Sequence, residues 1–119
     1  MDNKEFAKQL ENRTRTFAIQ IIQLSTKLPR TPEANVIRKQ ITKAGTSIGA
    51  NYREANRSRS KNDFISKIRI CESESSETQY WLQIIGQMSW ISKEIINPLY
   101  EECSQLLALF SSIVQKSKL

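Results

Sequence analysis

Apolar residues recur at helical spacing through most of the chain, and four stretches carry that pattern. In the first, from about Asn3 to Lys27, the stripe is Phe6, Leu10, Phe17, Ile21, Leu24 and Leu28. It stops at Leu28-Pro29-Arg30-Thr31-Pro32, because proline disfavours helix in the residue before it. The second begins at Thr31, a residue suited to capping, with Pro32 at the first helical position and Glu33 in the positive first turn. Its stripe is Ile37, Ile41, Ala44, Ile48, Asn51 and Ala55, with steps of 4, 3, 4, 3 and 4 as in a coiled-coil seam.

The third stretch starts near Ser60, where Ser60 and Asp63 form a capping-box pattern with Asp in place of Glu. Its stripe is Phe64, Ile68, Cys71, Ser75, Thr78, Leu82 and Ile85, small and polar in the middle. A second stripe, Ile70, Glu74, Glu77, Trp81, Ile84 and Met88, lies on another face, so this helix has two sets of neighbours. Gly86 to Trp90 reads as a break. The fourth stretch follows Ser92, a candidate cap, with Ile95, Leu99, Cys103, Leu106, Phe110 and Ile113 as its stripe. Pro98 either bends this helix or delays its regular part to Asn97. Residues Gln115 to Leu119 are expected to fray.

Long helices joined by short breaks pack as antiparallel neighbours. The pattern therefore predicts an all-α, antiparallel up-down-up-down four-helix bundle, with residues 1–119 as one domain. A chain of 119 residues is long enough to bury a core without staples. The connection from Asn56 to Lys61 is the least marked, being polar but without Gly or Pro.

Two features break the helical rules. Gly45 and Gly49 lie inside the second stripe, in Ala44-Gly45-Thr46-Ser47-Ile48-Gly49-Ala50. Each costs about 1 kcal/mol of helix stability relative to Ala, and close approach of another helix can offset that loss. A phosphate cradle is the competing reading, but it needs GxxxxGK[ST] between strand and helix. Here the glycines are too close, no Lys follows, and the setting is helical. The second feature is polar residues at seam positions: Arg13, Asn51 and Ser75. Either they form a polar layer that fixes register or subunit pairing, with Glu54, Glu74 and Glu77 meeting Arg13, Arg53 or Arg69, or they lie at the wet edge of the seam. The residues expected to govern helix or subunit packing are Gly45, Ser47, Gly49, Asn51, Glu74, Glu77 and Trp81.

Charge changes the picture. The chain carries 18 Lys and Arg against 12 Asp and Glu, a net +6. The excess is concentrated: residues 27–69 hold eleven bases and three acids, whereas residues 70–119 hold three bases and six acids. Such a stretch suits nucleic acid, an anionic surface or an acidic face of another subunit, or it serves solubility alone. The candidate phosphate-binding residues are Arg38, Lys39, Lys43, Arg53, Arg57, Arg59, Lys61 and Lys67. Cations of this kind bind phosphates by charge and counterion release without reading sequence. Tyr52 and Tyr80 are either base-stacking residues or core.

Catalytic and metal chemistry find little to work with. There is no histidine, and Cys71 and Cys103 lie on apolar stripes outside any CxxC motif. Two thiols without His do not make the usual zinc site, and the carboxylates Glu72, Glu74 and Glu77 lack the histidines of a di-iron bundle. A non-enzymatic chain without cofactors is expected. The first fifteen residues are strongly polar and no apolar run approaches a membrane span, so the expected location is cytoplasmic.

Several motifs together resemble one family. They are Ile37-Arg38-Lys39-Gln40-Ile41, Gly45-Thr46-Ser47-Ile48-Gly49-Ala50-Asn51-Tyr52-Arg53-Glu54-Ala55, Ser60 with Asp63-Phe64-Ile65-Ser66-Lys67, Glu77-x-x-Tyr80-Trp81-Leu82, and Ile91-Ser92-Lys93-Glu94. The family is that of the bacterial four-helix bundle proteins of 23S ribosomal RNA intervening sequences. Tyr52 is a mild departure from its pattern. The resemblance implies an antiparallel four-helix bundle that assembles as a ring-like homopentamer. A similar protein, the accessory variability determinant of diversity-generating retroelements, is a basic pentamer that binds nucleic acid and a reverse transcriptase. Two functions are therefore expected as alternatives. One is a homo-oligomer that binds RNA or DNA through its basic surface. The other is a protein-interaction scaffold or accessory subunit whose partner would be a protein such as a reverse transcriptase.

Overall fold

The computed structural model describes residues 3–118; Met1, Asp2 and Leu119, which the expected domain and tail include, lie outside them. Four helices follow in order: α1 (Asn3–Ser25), α2 (Pro32–Ala55), α3 (Lys61–Gln87) and α4 (Lys93–Ser117). No strand occurs among the described residues. Each helix packs on its chain neighbours, and α1 against α4 closes the ring with the sparsest packing. The result is an antiparallel up-down-up-down bundle measuring 45 × 25 × 20 Å.

The starts of α2 and α3 follow their capping chemistry. The Thr31 Oγ1 accepts from the Ala34 N–H at 3.1 Å, and the Ser60 Oγ accepts from the Asp63 N–H at 3.1 Å. Each bond satisfies a donor that the first helical turn leaves without a partner. Ser92 differs from expectation, since its side chain makes no capping bond. Its backbone carbonyl accepts from both Ile95 and Ile96 at 3.1 Å. The helix that follows is continuous through Pro98 and reaches Ser117, so most of the tail expected to fray is helical.

The core is built from the predicted stripes. Phe17, Ile21, Ile41, Ile48, Ile68, Leu82, Leu106 and Phe110 are fully buried, each contributing roughly 1.5–3 kcal/mol by leaving water. Three details differ. Thr14, not Arg13, occupies the seam between Leu10 and Phe17, and its hydroxyl donates to the Leu10 carbonyl at 2.9 Å. Tyr52 is buried, its ring 5.7 Å from that of Phe110, so it is core and cannot stack on a base. In α4 the buried end residues are Ile96 and Val114, whereas Ile95 is exposed. Ile96 lies under α3, beside Gly86, while Ile95 borders the sparsely packed α1 seam, where less covers it.

Buried Ser75 and half-buried Asn51 are satisfied within their own helices, whereas the buried Thr42 Oγ1 has no hydrogen-bond partner among the described residues. The Ser75 hydroxyl donates to the Cys71 carbonyl at 2.8 Å, and the Asn51 amide donates to the Ser47 carbonyl at 2.8 Å. Arg13 does not meet Glu54, Glu74 or Glu77. It reaches across the α1–α4 seam to Glu102, through Nε at 2.6 Å and Nη2 at 2.7 Å, and to Gln105 at 2.5 Å. This forked pair is the one ion pair between described residues, and it bridges the two helices that pack least.

Candidate nucleic-acid interface

The topology puts the start of α1, the α2–α3 turn and the end of α4 at one end of the bundle. The turn is tight without glycine. The Asn56 N–H donates to the Tyr52 carbonyl at 3.1 Å, Arg57 to Glu54 at 3.0 Å, and Ser58 to Ala55 at 3.1 Å. Arg57, Arg59 and Lys61 are thereby held on the outside of a fixed turn, and all three are exposed. Arg53, one turn earlier on α2, is exposed as well, and Lys67 on α3 is half-buried. None of the five forms an ion pair with a described residue.

Other cations join them only through the fold. Lys4 and Lys8 of α1 are exposed near the same end, as are Lys116 and Lys118 of α4, and Arg15 is exposed farther along α1, across a cleft from Arg53. These five lie outside the basic segment. The spacing of Lys4, Lys8 and Arg15 places them on one helix face, which is the signal that could have found them.

Arg38, expected to bind phosphate, is instead occupied by backbone. Its guanidinium donates from Nε to the Ser25 carbonyl at 2.9 Å, and from Nη2 to the Leu28 and Pro29 carbonyls at 2.7 and 2.9 Å; it also bonds the Asn35 side chain. Arg38 closes the C-terminal end of α1, whose last carbonyls lack helical partners, and has no free fork for phosphate. Lys39 and Lys43 are exposed farther along α2, away from the turn.

The residues expected to govern packing fall on two sides of the bundle. Gly45 and Gly49 face α1, against Ile21 and Thr14. Ser47, Asn51, Glu74 and Trp81 are half-buried along the outer α2–α3 side, and Glu77 is exposed there. The Trp81 indole N–H donates to the Glu77 carboxylate at 3.1 Å, and its ring meets that of the exposed Tyr80 edge-on at 5.0 Å. Burial raises the Glu74 carboxyl above its ordinary value; nearby Glu77 adds to the rise and Lys43 opposes it.

The thiols are interior. Cys71 donates to the Ile48 carbonyl at 3.4 Å and Cys103 to the Ser75 carbonyl at 3.2 Å. Burial pushes both thiols up to about 12, far from the thiolate form that nucleophilic or metal chemistry uses. Among the described residues, no three His, Cys, Asp or Glu side chains gather to hold a metal, and no helix is long and apolar enough to cross a membrane.

Residues 8–112 match the family described as 23S rRNA-intervening sequence protein. The chain belongs to the 23S rRNA-intervening sequence protein family. A solved structure from Bacteroides thetaiotaomicron, a protein of unknown function from the S23 ribosomal protein family, is similar throughout. It shares 35% identity at a TM-score of 0.81, covering 87% of this chain and 96% of that one. No curated protein matches. The intervening-sequence family thus accounts for the four-helix bundle.

Proposed function

We propose that this intervening-sequence family member is a non-enzymatic homo-oligomer, pentameric by analogy with its family, that binds RNA or DNA through the basic end of its bundle. The observation that carries this reading is the fixed α2–α3 turn, which presents Arg53, Arg57, Arg59 and Lys61 to solvent with no carboxylate partner among the described residues. Cations left without partners bind a polyanion by releasing its counterions. Repeating a +6 subunit around a ring multiplies that attraction. The lack of histidine and the two buried thiols support a non-enzymatic role.

Assembly is supported by the outer edge of α3. Ile70 and Met88 are 39% and 52% exposed, with half-buried Trp81 and Ile84 on the same stripe. An apolar edge of this kind is what a neighbouring subunit covers. The same edge favours the second reading, an accessory or scaffold subunit that holds a protein such as a reverse transcriptase and does not itself touch nucleic acid.

Binding of labelled single-stranded and duplex RNA and DNA, followed by anisotropy across a salt series, tests the first reading. Affinity should fall steeply with salt and vary little with sequence. A folded oligomer that binds nothing at low salt overturns it. Replacing Arg57, Arg59 and Lys61 together with Glu separates the two readings. Loss of nucleic-acid binding with the oligomer intact supports the first, and loss of assembly supports the second.

A further inference from the structure

A second basic surface lies between α1 and α2, with its α1 cations outside the basic segment of the sequence. Lys4, Lys8, Asn12 and Arg15 follow one another along one face of α1, about 6 Å of helix rise for each step of four residues. They border a shallow groove of ≈ 660 Å³ completed by Asn56 at the end of α2. Through Glu11 and Arg15 this groove continues into a cleft of ≈ 190 Å³, walled on the α2 side by Thr46, Gly49 and Arg53.

The floor is shaped by the close approach of the two helices. A Cβ on Gly49 would stand 3.0 Å from the Thr14 Oγ1, so no side chain fills the trough at that point. Arg15 is partly positioned, its Nη1 donating to the Asn12 side chain at 3.1 Å. Glu11 is the acid in the groove, and its carboxylate is engaged by the Asn56 amide at 2.8 Å. Among the described residues, Lys4, Lys8, Arg15 and Arg53 therefore line the groove against one hydrogen-bonded carboxylate.

We infer that this α1–α2 groove is a track for a single phosphodiester strand of RNA or DNA, with Lys4, Lys8, Arg15 and Arg53 along its phosphates. The inference rests on the nucleic-acid reading above and names a surface that shares only Arg53 with the cations of the turn. The helices touch at the floor, which leaves a channel as narrow as the gap between two packed helices. A single strand fits along it, whereas a duplex can meet only its rim. Among the described residues no aromatic ring lines the groove, so bases find no stacking platform there and recognition goes to phosphates and sugars. Asn12 and Asn56 supply amide groups for neutral hydrogen bonds along the same track.

The test compares the full-length protein with K4Q/K8Q/R15Q and with R57Q/R59Q/K61Q, using one labelled oligonucleotide as single strand and as duplex. Oligomer mass and helical circular dichroism are measured for each variant. The groove variant should lose single-strand affinity about tenfold or more, and its log K against log salt slope should fall by about 2, at roughly 0.7 for each phosphate no longer neutralised. Duplex binding should change less. A groove variant that binds the single strand as the wild type does, while the turn variant loses binding, overturns the track and leaves the broader reading standing. Equal losses for strand and duplex overturn the single-strand assignment. A wild type that binds neither overturns both. If the triple variant does not fold, R15Q and K8Q singly carry the same comparison, each expected to lower the slope by about 0.7.

Discussion

Gly45 of α2 lies so close to Ile21 of α1 that a Cβ built on the glycine would stand 2.8 Å from the Ile21 Cγ2 and 3.0 Å from its Cγ1. Ile21 is fully buried and cannot swing away. Alanine at Gly45 would gain about 1 kcal/mol in helix propensity, but forcing a methyl into a packed core costs about 1–3 kcal/mol. Gly45→Ala should therefore lower the thermal midpoint. Gly86→Ala should not, because its Cβ would meet only Ile96 at 3.6 Å, an ordinary van der Waals distance. That variant should be neutral or more stable, by up to about 1 kcal/mol. Denaturant melts of the two variants check the contrast.

Arg38 donates to three backbone carbonyls at the α1–α2 connection. Arg38→Ala should destabilise the bundle by about 1–3 kcal/mol through unsatisfied acceptors. Its effect on nucleic-acid affinity should be small once the protein is folded. Chemical denaturation and an anisotropy titration of the same sample separate the two effects.

Cys71 and Cys103 should be silent in the native state. Both are buried, donate to carbonyls of neighbouring helices, and have thiols pushed up to about 12. A thiol reagent at about pH 8 should label neither cysteine in buffer and both in denaturant. Fast native labelling of either would contradict the packing described.

Glu74 makes stability depend on pH. Burial and the neighbouring Glu77 raise its folded value above 4.5, so the folded state favours the protonated form. The resulting stabilisation is complete below the unfolded value and is lost as pH rises through the folded one. Glu74→Gln should therefore raise the thermal midpoint slightly at about pH 7 and leave it unchanged near about pH 4. Melts at the two pH values read the difference.

The basic end shows how far the candidate site is legible in the sequence. Arg57, Arg59 and Lys61 stand out as a run of cations at a predicted turn, and the turn holds them in the open. Lys4, Lys8 and Arg15 do not, because residues 1–26 are nearly neutral in total, and a sum over a segment hides a face. Arg38 misleads for the opposite reason. Its charge is visible, but the carbonyls that occupy it belong to residues nine to thirteen positions earlier and lie beside it only in the folded connection.

Local pattern alone specifies the four helices, their caps at Thr31 and Ser60 and most of the buried stripes. These depend on interactions within a few residues, which period and capping chemistry encode directly. Tertiary structure decided what the stripes leave open. It placed Thr14 rather than Arg13 in the seam and Ile96 rather than Ile95 under α3. It paired Arg13 with Glu102, and it brought the start of α1 alongside the α2–α3 turn. Each of these turns on which helix lies beside which, and at what distance. No local pattern carries that, because two adjacent positions on a helix can satisfy the same period while facing different neighbours.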